Sequence, residues 1–139
     1  QKFDTARQLV PAPEIRKASR KTRLGAIYFG STAPAMDEAL DLLNSGGIPV
    51  DSMRLRAFPF PDEVQAFIDS HDEVFVVEQN RDGQMRTLLM NELDIDPFKL
   101  VPILHYDGTP ITARYINSAI TKHVHASIVT PRERRETVK

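Results

Sequence analysis

The sequence contains no cysteine and no tryptophan, and no stretch of it reaches the roughly 18 apolar residues that a membrane-spanning helix needs. The absence of cysteine excludes disulfide bonds, thiolate-held iron–sulfur clusters and a cysteine nucleophile within this chain. No basic start leads into an apolar segment, so the pattern predicts no secretory signal and favours the cytoplasm. Because the first residue is Gln1 rather than methionine, we expect the chain to be excised from a longer protein.

The composition is that of a globular domain, with 41% hydrophobic and 27% charged residues in a length of 139. The net charge of −1 is unevenly distributed, since residues 1–23 hold seven lysines and arginines, the middle is acidic, and the tail is basic again. Basic ends are compatible with nucleic-acid binding, but no aromatic side chains interleave with these charges as base stacking would require. The favoured interpretation is a solvated linker or docking on an acidic neighbour, with no nucleic acid and no membrane as partner.

The sequence pattern divides the chain into three segments. Residues 1–23 lack periodicity and contain Pro11 and Pro13, which predicts an N-terminal strap or linker. Residues 24–126 alternate β-rich runs with amphipathic stretches, which predicts a single α/β domain. Residues 127–139 are polar and charged, which predicts a flexible tail.

Within the predicted domain, four strand–helix units follow one another. The predicted strands are 24–29, 48–55, 73–77 and 100–104, and Pro102 predicts an edge position for the last. Ser31 or Thr32 is expected to cap the first helix and Thr112 the last. A series of strand–helix units predicts a mostly parallel sheet with helices on both faces.

Ligands and partners of open parallel sheets gather outside the carboxyl ends of the strands, an edge that we call the carboxyl edge. Polar segments rich in glycine and proline leave those ends here, and we expect them to lie together: 30–32, 56–61, 78–84 and 105–108. Gly30, Ser31 and Thr32 either hold a phosphate through free backbone N–H groups or form a capped tight turn.

The other two candidate groups at this edge also carry two interpretations each. One group either forms a polar network that faces a partner or caps the helix that begins near residue 83; it consists of Glu78, Gln79, Asn80, Gly83 and Gln84. Arg56, followed by Phe58 and Pro59 in a proline-rich bend, either pairs with a nearby carboxylate or stays solvated.

No catalytic constellation is visible in the sequence. The motifs HExxH, GxSxG, GxGxxG and GxxxxGK[ST] are absent, so we predict no catalytic, cofactor-binding or metal-binding residue. His105, His123 and His125 lack the spacing of a metal site and are interpreted as surface or helix-end residues. Asp72 and Glu73 are interpreted as a solubilising loop.

The carboxyl-edge segments carry four motifs in a fixed order: YFGST, LRAFPFP, VVEQNRDGQ and YDGTPIT. In this order they resemble the C-terminal domain of the α subunit of 2-oxoacid:ferredoxin oxidoreductases, particularly the 2-oxoglutarate type. The resemblance covers about residues 3–124. It implies a fold like the transketolase C-terminal domain, a three-layer α/β/α sandwich around a mostly parallel five-stranded sheet.

The resemblance also implies a function for the parent enzyme and a role for this part of it. The parent is a thiamine-diphosphate enzyme that oxidatively decarboxylates a 2-oxoacid to an acyl-CoA and passes electrons to ferredoxin. Thiamine diphosphate, Mg²⁺ and iron–sulfur clusters are expected elsewhere in that complex, and this domain is expected to be non-catalytic. Its expected partners are the preceding domains of the same α subunit and the β subunit, with ferredoxin serving the whole complex. The alternative is a free-standing nucleotide- or phosphate-binding module that uses residues 30–32.

Overall fold

A computed structural model describes residues 10–129 of the chain, so parts of the predicted strap (residues 1–9) and tail (residues 130–139) lie outside the described residues. The strands are β1 (Glu14–Arg16), β2 (Leu24–Phe29), β3 (Asp51–Leu55), β4 (Glu73–Glu78) and β5 (Leu100–Leu104). The helices are α1 (Ala33–Ser45), α2 (Asp62–Asp69), α3 (Gln84–Glu92) and α4 (Ala113–Val129), and short 3-10 turns occupy Gly30–Thr32 and Pro97–Lys99. No helix within residues 10–129 combines the length and the apolar character needed to cross a membrane.

The strands form one five-stranded sheet in the order β1-β3-β2-β4-β5. Strands β2 to β5 run parallel to their neighbours, and β1 pairs antiparallel with β3. The predicted mostly parallel five-stranded sheet is therefore confirmed, as is the edge position of the strand that contains Pro102. Strand β1 lies inside the segment predicted as a strap; it spans three residues, and all of its side chains are exposed.

Helices cover the sheet on both faces, which confirms the three-layer architecture. On one face α1 and α4 pack on β2, β4 and β5, with a core that includes Met36, Leu40, Phe75, Ile116 and Ile120. On the other face α2 and α3 pack on β2, β3 and β4, with a core that includes Ile27, Met53, Phe67, Ile68 and Leu89. Because β2 and β4 contribute to both cores, they read as nearly continuous apolar runs in the sequence.

Local chemistry explains most helix boundaries. Pro34 occupies the first turn of α1, where its missing N–H costs nothing, and the helix stops before Gly46 and Gly47. The first turn of α2 carries Asp62 and Glu63, whose charges suit a helix N-terminus. Thr112 caps α4 as predicted, because its Oγ1 accepts a 3.1 Å hydrogen bond from the N–H of Tyr115.

Two local predictions are corrected by the structure. Neither Ser31 nor Thr32 caps α1 with its side chain, because the backbone continues through a 3-10 turn into the helix. The strand predicted over 48–55 begins only at Asp51, since residues 48–50 connect the end of α1 to the sheet without pairing.

Gly25 in β2 offers a test of how closely the sheet and α2 pack. A Cβ atom at this position would lie 2.9 Å from Cε1 of Phe67 and 3.2 Å from Cγ of His71, two buried rings. We expect Gly25→Ala to lower the free energy of unfolding by about 1–3 kcal/mol, measured by urea denaturation, because the rings must shift. In a Phe67→Leu background the same change should cost less; strictly additive losses would contradict the close contact.

Candidate functional site

The parallel strands bring the four predicted segments to the carboxyl edge of the sheet. Residues 30–32 leave β2, residues 56–61 leave β3, residues 79–83 leave β4 and residues 105–112 leave β5. Strands β2 and β4 are neighbours in the sheet although β3 lies between them in sequence. The chain adds β3 on one side of β2 and then β4 on the other side, so the direction in which strands are added changes between β2 and β4. In open α/β sheets such a switch point is the usual position of a binding crevice.

Glu78 ends β4 as a fully buried carboxylate. Its Oε1 accepts hydrogen bonds from the N–H of Met85 at 2.6 Å and from Nδ2 of Asn80 at 3.0 Å. Its Oε2 accepts a 3.0 Å hydrogen bond from the N–H of Arg86. The carboxylate therefore satisfies the first N–H groups of α3, where its negative charge also suits the helix dipole.

The other members of the Glu78 group complete the start of α3. Oδ1 of Asn80 accepts a 3.2 Å hydrogen bond from the N–H of Gln84. Gly83 adopts the left-handed conformation, with φ 62° and ψ 48°, which glycine reaches without steric cost. Of the two interpretations left open by the sequence, helix capping accounts for the contacts of Glu78 and Asn80.

Gln79 lies at the switch point and connects three elements through its side-chain amide. Nε2 donates to Oγ1 of Thr32 at 3.1 Å and to Oγ of Ser31 at 3.3 Å. Oε1 accepts a 3.3 Å hydrogen bond from the N–H of Ile111, just before α4. The hydroxyls expected to cap α1 are thus partners of Gln79, and one amide holds the ends of β2 and β4 against the start of α4.

An open groove of about 580 Å³ lies beside Gln79 and is bordered by His105, Tyr106 and residues 108–111. Nε2 of His105 lies 3.0 Å from the carbonyl oxygen of Thr109 and 3.1 Å from Oδ1 of Asp107. The pKa of Asp107 is lowered, because the hydroxyl and the amide of Thr109 both donate hydrogen bonds to its carboxylate. These contacts hold residues 105–109 in a tight turn. The ring of Tyr106 beside them remains 61% exposed.

The proline-rich bend after β3 presents a different surface. Nε of Arg56 lies 3.9 Å from Oε1 of Glu14 in β1, and both side chains are about half exposed. The ring of Phe58 packs edge-on against Phe60, with 5.4 Å between ring centroids. Phe60 is buried, whereas Phe58 is 47% exposed, and the peptide bond from Phe58 to Pro59 is cis. This bend therefore points an aromatic ring outward at the carboxyl edge.

Sequence reasoning missed a buried hydrogen-bonded pair, Asp51 and His71, at the opposite, amino-terminal edge of the sheet. Oδ2 of Asp51 lies 2.9 Å from Nε2 of His71, and Nδ1 of His71 lies 2.7 Å from the carbonyl oxygen of Phe67. Oδ1 of Asp51 accepts a 2.8 Å hydrogen bond from the N–H of Ala18 in the strap. His71 stands in a polar stretch after α2, where no periodicity reveals burial.

The interpretation of Glu73 as a solubilising residue was wrong. Its side chain is nearly buried, and Oε2 lies 2.8 Å from Nε2 of His123 on α4. Among residues 10–129, no group of three or more histidine, aspartate or glutamate side chains is arranged to hold a metal ion.

Comparison with solved structures gives the class of fold. The chain superposes on a split-gene transketolase that was solved as an inactive tetramer of four β subunits. The TM-score is 0.59, with 18% identity over 79% of this chain and 40% of that one. It is similar as well to the α chain of a probable 2-oxoacid ferredoxin oxidoreductase from Thermoplasma acidophilum, with a TM-score of 0.52 and 22% identity over 82% of this chain and 97% of that one. The fold is of the transketolase C-terminal type.

Two further relatives indicate the family. The 2-oxoglutarate:ferredoxin oxidoreductase of Magnetococcus marinus matches with a TM-score of 0.75 and 25% identity, over 86% of this chain and 21% of that one. Subunit α of 2-oxoacid:ferredoxin oxidoreductase 2 from Aeropyrum pernix is 26% identical over 125 residues, which cover 87% of this chain and 19% of the relative. No family model matches the sequence.

These relatives confirm the resemblance predicted from the motifs: the chain is similar to a fragment of a 2-oxoacid:ferredoxin oxidoreductase α subunit. The chain spans about a fifth of the length of the Aeropyrum and Magnetococcus proteins. Such relatives are oxidoreductase subunits, and this chain corresponds to a part of the Aeropyrum and Magnetococcus proteins.

Proposed function

We propose that this chain is the C-terminal domain of the α subunit of a 2-oxoacid:ferredoxin oxidoreductase, and that it serves assembly and subunit contacts rather than chemistry. The match to about a fifth of two such proteins supports the assignment to a single domain. The parent enzyme would oxidatively decarboxylate a 2-oxoacid to an acyl-CoA. The Magnetococcus relative was solved with 2-oxoglutarate, coenzyme A and succinyl-CoA bound, which fits that reaction.

The observation that carries the assembly role is the use of polar side chains at the carboxyl edge. Glu78 and Asn80 hold the start of α3, and Gln79 links β2, β4 and the segment before α4. These are the polar groups that a ligand crevice at the switch point would need, and they are engaged within the chain. The exposed rings of Phe58 and Tyr106 remain at the same edge, and aromatic rings are enriched in protein–protein contacts.

The cofactors of the parent complex do not fit the residues of this domain. Thiolate-held iron–sulfur clusters need cysteine, and the sequence has none. The most buried carboxylate of the carboxyl edge, Glu78, already accepts three hydrogen bonds within the chain, so it is not available to a diphosphate-bound Mg²⁺. We therefore place thiamine diphosphate, Mg²⁺ and the clusters in other parts of the proposed complex, with ferredoxin as its electron acceptor.

The alternative of a free-standing phosphate-binding module at residues 30–32 receives less support from the geometry. The hydroxyls of Ser31 and Thr32 accept hydrogen bonds from Gln79, and the N–H of Ala33 donates to the carbonyl oxygen of Gly30. A phosphate at this turn would compete with those internal contacts.

The assembly role predicts a specific loss when the outward aromatic ring is removed. We expect Phe58→Ser, made in the complete α subunit, to lower recovery of that subunit on a tagged β subunit by about tenfold, since aromatic anchors dominate interface energies. Co-purification from a strain that expresses both subunits measures the effect.

Leu42→Ser is the matched control, because Leu42 is 44% exposed but lies on α1, away from the carboxyl edge. It should leave recovery unchanged. Equal recovery of the Phe58→Ser subunit, with its fold verified by circular dichroism, would overturn the proposed contact at this bend.

A further inference from the structure

A second concave site, unrelated to the predicted motifs, lies at the amino-terminal edge of the sheet. We call it the strap cleft. It has a volume of about 700 Å³ and is bordered by residues 17–23 on one side and by Asp51, Ser70 and His71 on the other. A volume of this size falls within the range of about 300–1,000 Å³ typical of small-molecule sites.

The strap cleft carries an excess of positive charge. Its four cationic side chains are Lys17, Arg20, Lys21 and Arg23. Arg23 donates to Asp72 at 3.0 Å, and Lys17 lies 3.6 Å from Asp51, whose carboxylate is also bound by His71. Within residues 10–129, neither Arg20 nor Lys21 forms an ion pair, and both are exposed. The cleft therefore presents two uncompensated cations.

The loop that carries these two cations is fixed on both sides. The N–H of Ala18 donates to Asp51 at 2.8 Å, before the pair. After the pair, the hydroxyl of Thr22 donates to the carbonyl oxygen of Pro49 at 2.7 Å and accepts from the N–H of Leu24 at 3.1 Å. Because the backbone is anchored at residues 18 and 22, little further ordering of the loop is needed when an anion binds between them.

The chemistry of the lining indicates which anion. Arginine and lysine side chains are the usual partners of phosphate oxygens, and the hydroxyl of Ser19 borders the same space as a further donor. No phenylalanine, tyrosine or tryptophan lines the strap cleft, and the ring of His71 is buried, so a nucleobase would find no exposed aromatic face to stack on. We propose that the strap cleft binds a diphosphate-bearing small molecule, that it recognises the phosphate groups, and that Arg20 and Lys21 are the main contacts.

Titration of the full 139-residue chain with sodium pyrophosphate, followed by isothermal titration calorimetry at low salt, tests the proposal directly. We expect saturable binding, at least about tenfold weaker in the double variant Arg20→Ala/Lys21→Ala, since each charged hydrogen bond contributes substantially. ADP and GDP should bind within about threefold of each other, because the base is not read. The double variant Arg81→Ala/Lys122→Ala removes the same charge elsewhere and should bind as the unaltered chain does.

Three results would overturn the proposal: no saturable heat with pyrophosphate, unaltered binding by Arg20→Ala/Lys21→Ala, or an equal loss in the Arg81→Ala/Lys122→Ala control. A marked preference for ADP over GDP would contradict recognition through phosphate alone. Tighter binding of a single-stranded RNA oligomer than of pyrophosphate would instead show that the cations serve a nucleic acid. None of these readouts depends on oxidoreductase activity, so they are independent of the proposed assembly role.

Discussion

Replacement of Glu78 by alanine is expected to lower the free energy of unfolding by about 3–5 kcal/mol, because the change leaves three part-buried donors without their acceptor. The carboxylate is fully buried and accepts from two backbone N–H groups of α3 and from the side chain of Asn80. Helix α3 has only Leu89 fully buried, so it depends strongly on this cap.

Urea denaturation followed by circular dichroism measures the loss. Glu78→Gln should cost less than Glu78→Ala, because the amide oxygen still accepts hydrogen bonds while its NH₂ group opposes a backbone donor. Glu38→Ala is the control: Glu38 is an exposed carboxylate on α1, and its loss should change stability by less than about 0.5 kcal/mol. A Glu78→Ala effect as small as the control's would show that α3 does not need the carboxylate.

Replacement of Asp51 by alanine should also destabilise the chain by about 2–4 kcal/mol, since it leaves the buried ring of His71 and the N–H of Ala18 without their hydrogen-bond partner. His71 would keep Phe67 as a partner of Nδ1 but lose the carboxylate at Nε2, and the strap would lose its anchor at Ala18. Hydrogen exchange of the Ala18 amide should therefore accelerate in Asp51→Ala. The exposed Asp82, whose carboxylate pairs with Arg81 on the surface, provides the control as Asp82→Ala.

Asp51 also predicts how stability depends on pH. Burial alone would raise the pKa of Asp51, but hydrogen bonds from Ala18 and His71, together with the charge of Lys17, lower it below its ordinary value of 3.8. The unfolded chain therefore binds a proton more readily at this position than the folded chain does. The resulting stabilisation is complete above the unfolded pKa and is lost as the pH falls through the folded pKa.

Unfolding measured between pH 6 and pH 2 tests this dependence. The unaltered chain should lose more stability across the acid range than Asp51→Asn, which cannot titrate at this position. Parallel curves for the two proteins would show that the Asp51 carboxyl has the same pKa in the folded and unfolded chain.

The sheet was largely predictable because its strands carry strong local signals. Strand β2 has the predicted bounds 24–29, since an apolar run ends at Gly30, and Pro102 correctly indicated an edge strand. Strand β1 gave no such signal: its three residues are exposed, and only their pairing with β3 makes them a strand. The family resemblance, not local pattern, supplied the count of five strands.

The site was predictable in position but not in its contacts. Parallel strands place their carboxyl ends together, so the gathering of the four segments followed from topology alone. The partners of Gln79 did not, because Ser31 and Ile111 are 48 and 32 residues away and come within reach only after the crossovers form. Asp51 and His71 were missed for a similar reason, since their pairing joins the start of β3 to the residue after the end of α2.

Turnover per assembled complex is the measurement that bears most directly on the proposed assembly role of this domain. The Phe58→Ser α subunit can be combined with an excess of β subunit, and the complex isolated and assayed for 2-oxoacid-dependent reduction of ferredoxin. If the carboxyl edge serves contacts only, turnover per isolated complex should stay within about twofold of the unaltered enzyme while the yield of complex falls. Full recovery of complex with turnover reduced about a hundredfold would contradict the account, because it would show that the carboxyl edge takes part in the reaction.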